Sequence, residues 1–364
     1  MDKWELYQNG NYTVKINTEN GTKIRETKED GFIPAYAENI DIKISDFCDM
    51  GCEFCHEGST RNGKHGDILN QEFINTLHPY QEVALGGGDV TSHTDLIPFL
   101  YKLKDKKVIA NITVNQKHFE QKQELIKKLV DEKLIYGLGI SLVNPTDRFI
   151  SLVKQYPNAV IHVINGIFKP EDAEKLSGNN LKILILGYKQ LRRGNEWYRK
   201  DNKNIIARQA WLKNNLADIT GGFNVTSFDN LAIGQLGVKK LMTDEEWEEF
   251  FMGQDSEFTF FIDMVEKKFS KNSTAPLNER YSLLGSVDEM FDKIIFVAAD
   301  ENLRLDRLMK RNNLTKEEAL LRINAQIPQE EKIKKSDFVI DNNSDLENLE
   351  KQTSILITKL LSLV

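Results

Sequence analysis

Polar and apolar positions alternate loosely at the start of the chain, with Tyr12, Val14 and Ile16 on one parity and Asn9-Gly10 and Asn20-Gly21 where hairpin turns need them. The pattern predicts a small β segment over residues 1–39. Beyond it the apolar runs become continuous, as in Ile183-Leu184-Ile185-Leu186, the form expected of parallel strands buried on both faces. Candidate strands fall at residues 40–47, 82–86, 107–115, 137–143, 159–165, 181–188, 222–228 and 258–264.

Helix signals fill the gaps between these runs. Asn70 precedes a Phe73, Ile74, Leu77 stripe, Thr94-Asp95 opens a segment with Pro98 near its start, and Phe119, Leu125, Ile126 and Leu129 lie near helical spacing. Thr243 and Glu246 have capping-box spacing, and Gly253 is placed to stop that helix. Such alternation predicts an α/β fold, a (βα) barrel that is complete or partly open, over residues 40–293. From about Asp288 the rhythm becomes strand, two helices, strand, and a last helix opened by Ser344, an α/β appendage over residues 294–364.

A length of 364 residues accommodates one barrel and an appendage, since such barrels run to about 250 residues. The net charge of −7 supplies no global positive field, so bulk nucleic-acid binding and attraction to an anionic membrane are not expected. Residues Met1 to Leu6 lack a basic segment followed by an apolar one, and no apolar run approaches the roughly 20 residues of a membrane span. The expectation is a cytoplasmic protein without a membrane segment.

All three cysteines sit in Cys48-Asp49-Met50-Gly51-Cys52-Glu53-Phe54-Cys55, just after the first apolar run of the barrel. Three thiolates on one short loop can hold three corners of a cubane iron–sulfur cluster, whereas a closed four-iron cluster normally takes four cysteines. The iron left open can chelate a small ligand through an amine and a carboxylate. A structural zinc usually closes four ligands in two pairs, and His56, adjacent to Cys55, is an awkward fourth. A zinc-binding interaction protein remains the alternative. A disulfide would leave one cysteine over.

This stretch resembles the radical SAM superfamily, in particular its compact, phage-type members. The resemblance implies a partial (βα) barrel of radical SAM type, a [4Fe-4S] cluster on Cys48, Cys52 and Cys55, and S-adenosylmethionine (SAM) on the open iron. It places Phe54 against the adenine and identifies Gly86-Gly87-Gly88 as the glycine-rich motif whose main chain meets the methionyl amine. Asp89 takes the acidic position where glutamate is commoner. Ser141 and Asn144 after the fourth barrel strand, and Asn115 after the third, are the counterparts of residues that bond ribose or the methionyl carboxylate. From the residues alone, three glycines at a strand end let a backbone approach a ligand that side chains would block, and polar residues at strand ends also commonly cap the next helix; Thr146 and Asp147 are placed to do so here. The resemblance further implies an external electron donor of flavodoxin or ferredoxin type and a small-molecule or nucleotide-like substrate. With every cysteine used in one motif, an auxiliary cluster is not expected.

Three other stretches carry candidate chemistry. Residues 56–67 contain Gly58-x4-Gly63-Lys64, which mimics a phosphate-binding loop, but His65 replaces the magnesium-binding hydroxyl residue and no strand precedes it. A lid bringing His56, Arg61, Lys64 or His65 to substrate, or a solvated loop, fits better. Lys189, Arg192 and Arg193 follow the sixth barrel strand, where they can hold an anionic substrate group or form a solvated basic turn; Tyr188 or Tyr198 is a candidate hydrogen relay. In the appendage, Arg307-Leu-Met-Lys-Arg311, Glu317 to Arg322, Gln326 to Lys332 and Asp337-Phe-Val-Ile-Asp341 are similar to the carboxyl-terminal part of dephospho-CoA kinase. That kinase begins with a phosphate-binding loop absent here, so the expectation is a nucleotide or CoA-like ligand binder without kinase activity.

Overall fold

The structure is a computed structural model and describes residues 3–28, 31–291, 295–324, 328–336 and 338–361. The anticipated boundary at Lys293, and Gln326 and Asp337 of the appendage pattern, lie outside the described residues. The chain opens with an antiparallel meander of β1 (Trp4–Asn9), β2 (Tyr12–Asn17) and β3 (Lys23–Glu26).

A mixed α/β body follows. Its strands and helices alternate as β4 (Asn39–Ser45), β5 (Glu82–Gly87), α1 (Leu96–Asp105), β6 (Ile109–Asn115), α2 (Gln116–Gln121), α3 (Gln123–Asp131), β7 (Gly137–Ser141) and α4 (Asp147–Val153). Then come β8 (Ala159–Ile164), α5 (Pro170–Leu176), β9 (Lys182–Leu186), α6 (Arg193–Asn214), α7 (Leu216–Gly221), β10 (Val225–Phe228), α8 (Asn230–Leu236), α9 (Asp244–Phe250) and β11 (Thr259–Asp263). The hairpin β12 (Lys268–Ser270) and β13 (Tyr281–Ser282) and the helix α10 (Val287–Phe291) complete it.

These strands form one ten-stranded sheet in the order β10-β9-β8-β7-β6-β5-β4-β11-β12-β13. Every pairing from β10 through β4 to β11 is parallel, and β12 and β13 add antiparallel strands at one edge. One cavity is lined by residues from each of the strands β4 to β11, including Asp41, Gly86, Thr113, His162, Ser227 and Phe261. The sheet therefore curls round that space, while β10 pairs with β9 alone and leaves the barrel open.

Strand parity explains the hollow. In β4, Ile40, Ile42 and Ile44 are fully buried in the main apolar cluster, whereas the polar side chains of Asn39, Asp41 and Lys43 are in the cavity wall, which Ile42 also touches. In β6, Ile112 and Val114 are buried in that cluster while Asn111, Thr113 and Asn115, also in the cavity wall, are only half-buried. Even in the continuous run of β9 only Ile183 and Ile185 are core; Leu184 and Leu186 line the cavity, so burial on both faces is not what the run records. Inward positions that are small or polar cannot fill a barrel as bulky branched residues do.

Two helix expectations shift. The Phe73 stripe makes only a short 3-10 turn, Glu72–Thr76, because His78 precedes Pro79 and is steered away from helical backbone. The stripe from Phe119 to Leu129 breaks between α2 and α3, where the Gln123 side-chain amide takes the Phe119 carbonyl at 2.5 Å. The capping box at Thr243 forms as its spacing implies, and α9 ends before Gly253.

The appendage holds β14 (Ile295–Ala298), α11 (Glu301–Asn312), α12 (Lys316–Asn324), α13 (Gln329–Lys335), β15 (Phe338–Asp341) and α14 (Leu346–Leu361). Strands β14 and β15 pair in parallel as a separate two-stranded sheet. Among the described residues no helix is long and apolar enough to cross a membrane.

Candidate active site

The cavity measures about 1430 Å³, above the ~300–1,000 Å³ of ordinary ligand pockets. The carboxyl ends of β4 and β5 form one part of its wall, and all three cysteines, Phe54 and Gly86 to Gly88 line it. Each cysteine is a free thiol of intermediate burial. Burial pushes the Cys48 and Cys52 thiols up, and the charge of neighbouring Cys55 adds to both shifts. Three thiolates that repel one another call for positive charge among them, so the donor set fits a cationic cluster. Among the described residues no group of three or more His, Cys, Asp or Glu is arranged to hold a single metal ion; in a cubane each thiolate takes its own iron.

The glycine motif divides its work. A side chain on Gly86 would meet nothing within 4 Å, which leaves its main chain open to a ligand in the cavity. Gly87, at φ +111°, and Gly88 instead lie against the backbone that leads from β4 into the cysteine loop: a Cβ on Gly87 would stand 2.4 Å from the Ser45 carbonyl oxygen. The Gly88 amide donates to that Ser45 oxygen at 2.7 Å. Gly86 faces open cavity space, and backbone packing accounts for the other two.

The remaining sequence candidates separate. Ser141 and Asn115 line the cavity, though Asn115 also caps α2 by accepting from the Lys117 amide at 2.9 Å. Thr146 caps α4 through the Phe149 amide, so Ser141 is not needed there. Asn144 is exposed and not among the cavity residues; its backbone is bracketed by Gln116. Asp89 is buried beside the cavity, not in its lining. Its carboxylate bonds Thr91, receives the Lys122 ammonium at 2.9 Å and lies 3.5 Å from His118 Nδ1.

The stretch after the cysteines folds back along β4 through bridges Ser45–His65 and Phe47–Thr60, so Arg61, Lys64 and His65 stay out of the cavity while His56 and Glu57 line it. Arg192 and Arg193 are used by the same loop: Arg192 donates to the Glu57 carbonyl at 2.7 Å and Arg193 to the Ser59 carbonyl at 2.8 Å. Of that basic cluster only Lys189 lines the cavity, with its ammonium on Ser273 at 3.1 Å. Tyr188 is buried, with its hydroxyl on the Gly194 carbonyl at 2.8 Å.

Sequence reading missed the inward residues of the strands. Asp41 meets cavity solvent yet lies deep in the barrel, and this burial, with Asp255 and Asp229 nearby and Lys189 in opposition, pushes its carboxyl up to about 6. Burial pushes the His162 imidazole down to about 4, so the ring is neutral at physiological pH. A Cβ on Gly139 would stand 2.4 Å from His162 Cε1, so β7 gives up a side chain to admit that ring. Glycines spaced Gly137-Leu-Gly139 inside a strand were a legible sign of close approach.

A solved structure described as Streptococcus suis SuiB bound to S-adenosylmethionine aligns with this architecture at a TM-score of 0.52, covering 80% of this chain and 88% of that one. The two chains share a fold. Identity is 13%, so this likeness carries the fold and nothing finer. Residues 282–348 match the family described as CoaE: Dephospho-CoA kinase. The dephospho-CoA kinase of Listeria innocua is 50% identical over 76 residues, which are 21% of this chain and 38% of that protein. Its counterpart from Listeria monocytogenes is 52% identical over 73 residues, 20% of this chain and 36% of the relative. The chain thus spans less than two-fifths of the length of these relatives.

Proposed function

We propose that the chain is a radical SAM enzyme of the cytoplasm acting on a small-molecule or nucleotide-like substrate. The observation that supports it most is the convergence of Cys48, Cys52, Cys55 and the open main chain of Gly86 on one cavity at the carboxyl ends of parallel strands. Cys48, Cys52 and Cys55 would hold a [4Fe-4S] cluster, which when reduced supplies the electron that cleaves SAM to a 5′-deoxyadenosyl radical able to abstract hydrogen from substrate. The chain's own groups bind and orient. Gly86 offers backbone to the methionyl end, Phe54 an aromatic face, and Ser141 and Asn115 polar contacts, while the enclosing sheet limits water. Electrons would come from an external flavodoxin- or ferredoxin-type donor, because all three cysteines serve one motif. An anionic substrate group would find Lys189, since Arg192 and Arg193 are occupied.

The test is anaerobic reconstitution, reduction in the presence of SAM, and analysis for 5′-deoxyadenosine. Expected is an iron- and sulfide-dependent product that Cys48→Ala, Cys52→Ala and Cys55→Ala each abolish; equal product from all three variants, or zinc in place of iron and sulfide, overturns the reading. For the appendage, 50% identity to a dephospho-CoA kinase supports a second reading, retention of a nucleotide or CoA-like ligand without phosphoryl transfer. Equilibrium binding of dephospho-CoA by the full chain, lost on removal of residues 294–364, is the expected result.

A further inference from the structure

A line of alternating charges runs under the cysteine loop. Arg280 NH1 donates to Asp263 Oδ2 at 2.9 Å, and the Lys43 ammonium lies 3.4 Å from that same oxygen. Lys43 also lies 3.2 Å from Glu57 Oε2, and Arg192 NH1 is 3.3 Å from this second shared oxygen. Asp46 meets Lys43 at 2.6 Å, and His56 Nε2 stands 3.2 Å from Glu57 Oε1. Each link belongs to a different part of the barrel: the approach to β13, the end of β11, β4, the cysteine loop, and the approach to α6.

Burial makes this line expensive. The Lys43 and Asp263 side chains are 2% and 0% exposed. Glu57, whose side chain is 11% exposed, shares one carboxylate oxygen between Lys43 and Arg192. Apolar residues of similar volume commonly stabilise a core as well as buried ion pairs do, so the arrangement this set holds, rather than stability, is the effect to test. What is fixed is the backbone after Cys55. Arg192 donates to the carbonyls of both His56 and Glu57, and Arg193 to that of Ser59. To reach them Arg192 adopts φ +47° and ψ −126°, a conformation other than glycine rarely keeps unless its surroundings impose it.

We propose that Lys43, Glu57 and Arg192 are positioning residues that set where Cys55 stands before any cofactor binds. The inference builds on the radical SAM reading for the identity of that cofactor, but the position of the thiol is measured without one.

The experiment uses the full chain with Lys43→Met, Glu57→Gln, their double variant and Arg192→Lys, with Lys43→Arg as the conservative rescue. In the cofactor-free protein, alkylation of Cys55 by iodoacetamide is timed by peptide mass spectrometry. Each variant is expected to react about fivefold faster, as for a local opening made easier by ~1 kcal/mol. The double variant should react no faster than the faster single one, because both act on one network. After reconstitution, the electron paramagnetic resonance signature and midpoint potential should shift in Glu57→Gln and return towards the original in Lys43→Arg relative to Lys43→Met. Should Lys43→Met fail to fold, Arg192→Lys still decides, since that side chain is 36% exposed and keeps its charge. Wild-type alkylation rates in folded Glu57→Gln and Arg192→Lys, or strictly additive effects, overturn the proposal. Normal alkylation effects in a chain that takes up no iron and sulfide would overturn the radical SAM reading alone.

Discussion

Gly88 packs directly under Phe47: a Cβ on Gly88 would stand 2.1 Å from the Phe47 carbonyl oxygen, which also accepts from the Asp89 amide at 2.6 Å. The backbone that leads into the cysteine loop thus rests on the glycine motif. Gly88→Ala forces that contact apart and should lower stability by about 2 kcal/mol or more, the range of backbone clashes and core overpacking. Gly86→Ala should leave the melting temperature near wild type and weaken SAM binding. Thermal melts paired with SAM titrations check both; equal melting temperatures for the two variants would show that the close approach is not needed.

Asp41 makes the barrel's interior sensitive to pH. Its folded-state value of about 6 lies above the 3.8 of an ordinary aspartate, with burial the first cause. The folded protein therefore holds this proton more tightly than the unfolded chain, and the ionised carboxylate costs stability above pH 6. Asp41→Asn should stabilise the protein at pH 7.5, and the advantage should shrink as pH falls through 6 towards 4. The shift corresponds to at most ~3 kcal/mol, reduced to the order of 1 kcal/mol because cavity water screens the carboxyl. Melting temperatures of both proteins across that pH range give the comparison.

Much of this was written in the sequence. The apolar runs placed all the parallel strands, because a strand whose outer face packs on helices must carry Ile, Val or Leu there whatever faces inward. The three cysteines, placed after the first of those strands, marked a loop that lies in the cavity wall. The inward face was harder. Asn39-Ile-Asp41-Ile-Lys43-Ile-Ser45 alternates strictly, but alternation does not say whether its polar side meets bulk water or a cavity. Nor could sequence distance show that Arg192, which follows Glu57 by 135 residues, bonds it. The two arginines looked like substrate ligands for the same reason they serve the loop: a guanidinium fork fits carbonyl and carboxylate oxygens alike. Asp89, expected at the ligand, lies outside the cavity lining with its oxygens engaged by Lys122 and Thr91.

The end of the barrel is set by α10, which lies inside the stretch matched to the kinase family. Val287 and Met290 are 1% and 5% exposed and belong to the main apolar cluster. The Val287 amide donates to Thr76 Oγ1 at 2.9 Å, and His78 Nε2 stands 2.8 Å from Asp288. A chain ending at residue 293 should keep the melting temperature of the barrel, whereas one ending at residue 280 should lose about 3 kcal/mol or more from those two side chains alone. Limited proteolysis and thermal melts of both truncations test this. Matching melts would mean that α10 adds nothing to the core.

The appendage should lack kinase activity even though half of its residues match a kinase. Phosphoryl transfer needs a cradle that holds the γ-phosphate and its magnesium in line with an acceptor, and the sequence supplies no phosphate-binding loop ahead of β14. The arginines of the pattern are not arranged as a substitute. Arg307 donates to the Asn342 carbonyl at 3.0 Å, bracing the end of β15, while Arg311 bonds Asn312 beside it and Arg322 is exposed. Binding and catalysis therefore separate: arginines can pair with the phosphates of a CoA-like ligand, whereas phosphoryl transfer also needs the cradle for the γ-phosphate and its magnesium. Incubation of the full chain with ATP, magnesium and dephospho-CoA should yield CoA no faster than the buffer alone. Formation above that control would show that another part of the chain supplies the cradle, and would reopen the assignment of residues 56–67, where Gly58, Gly63 and Lys64 imitate one.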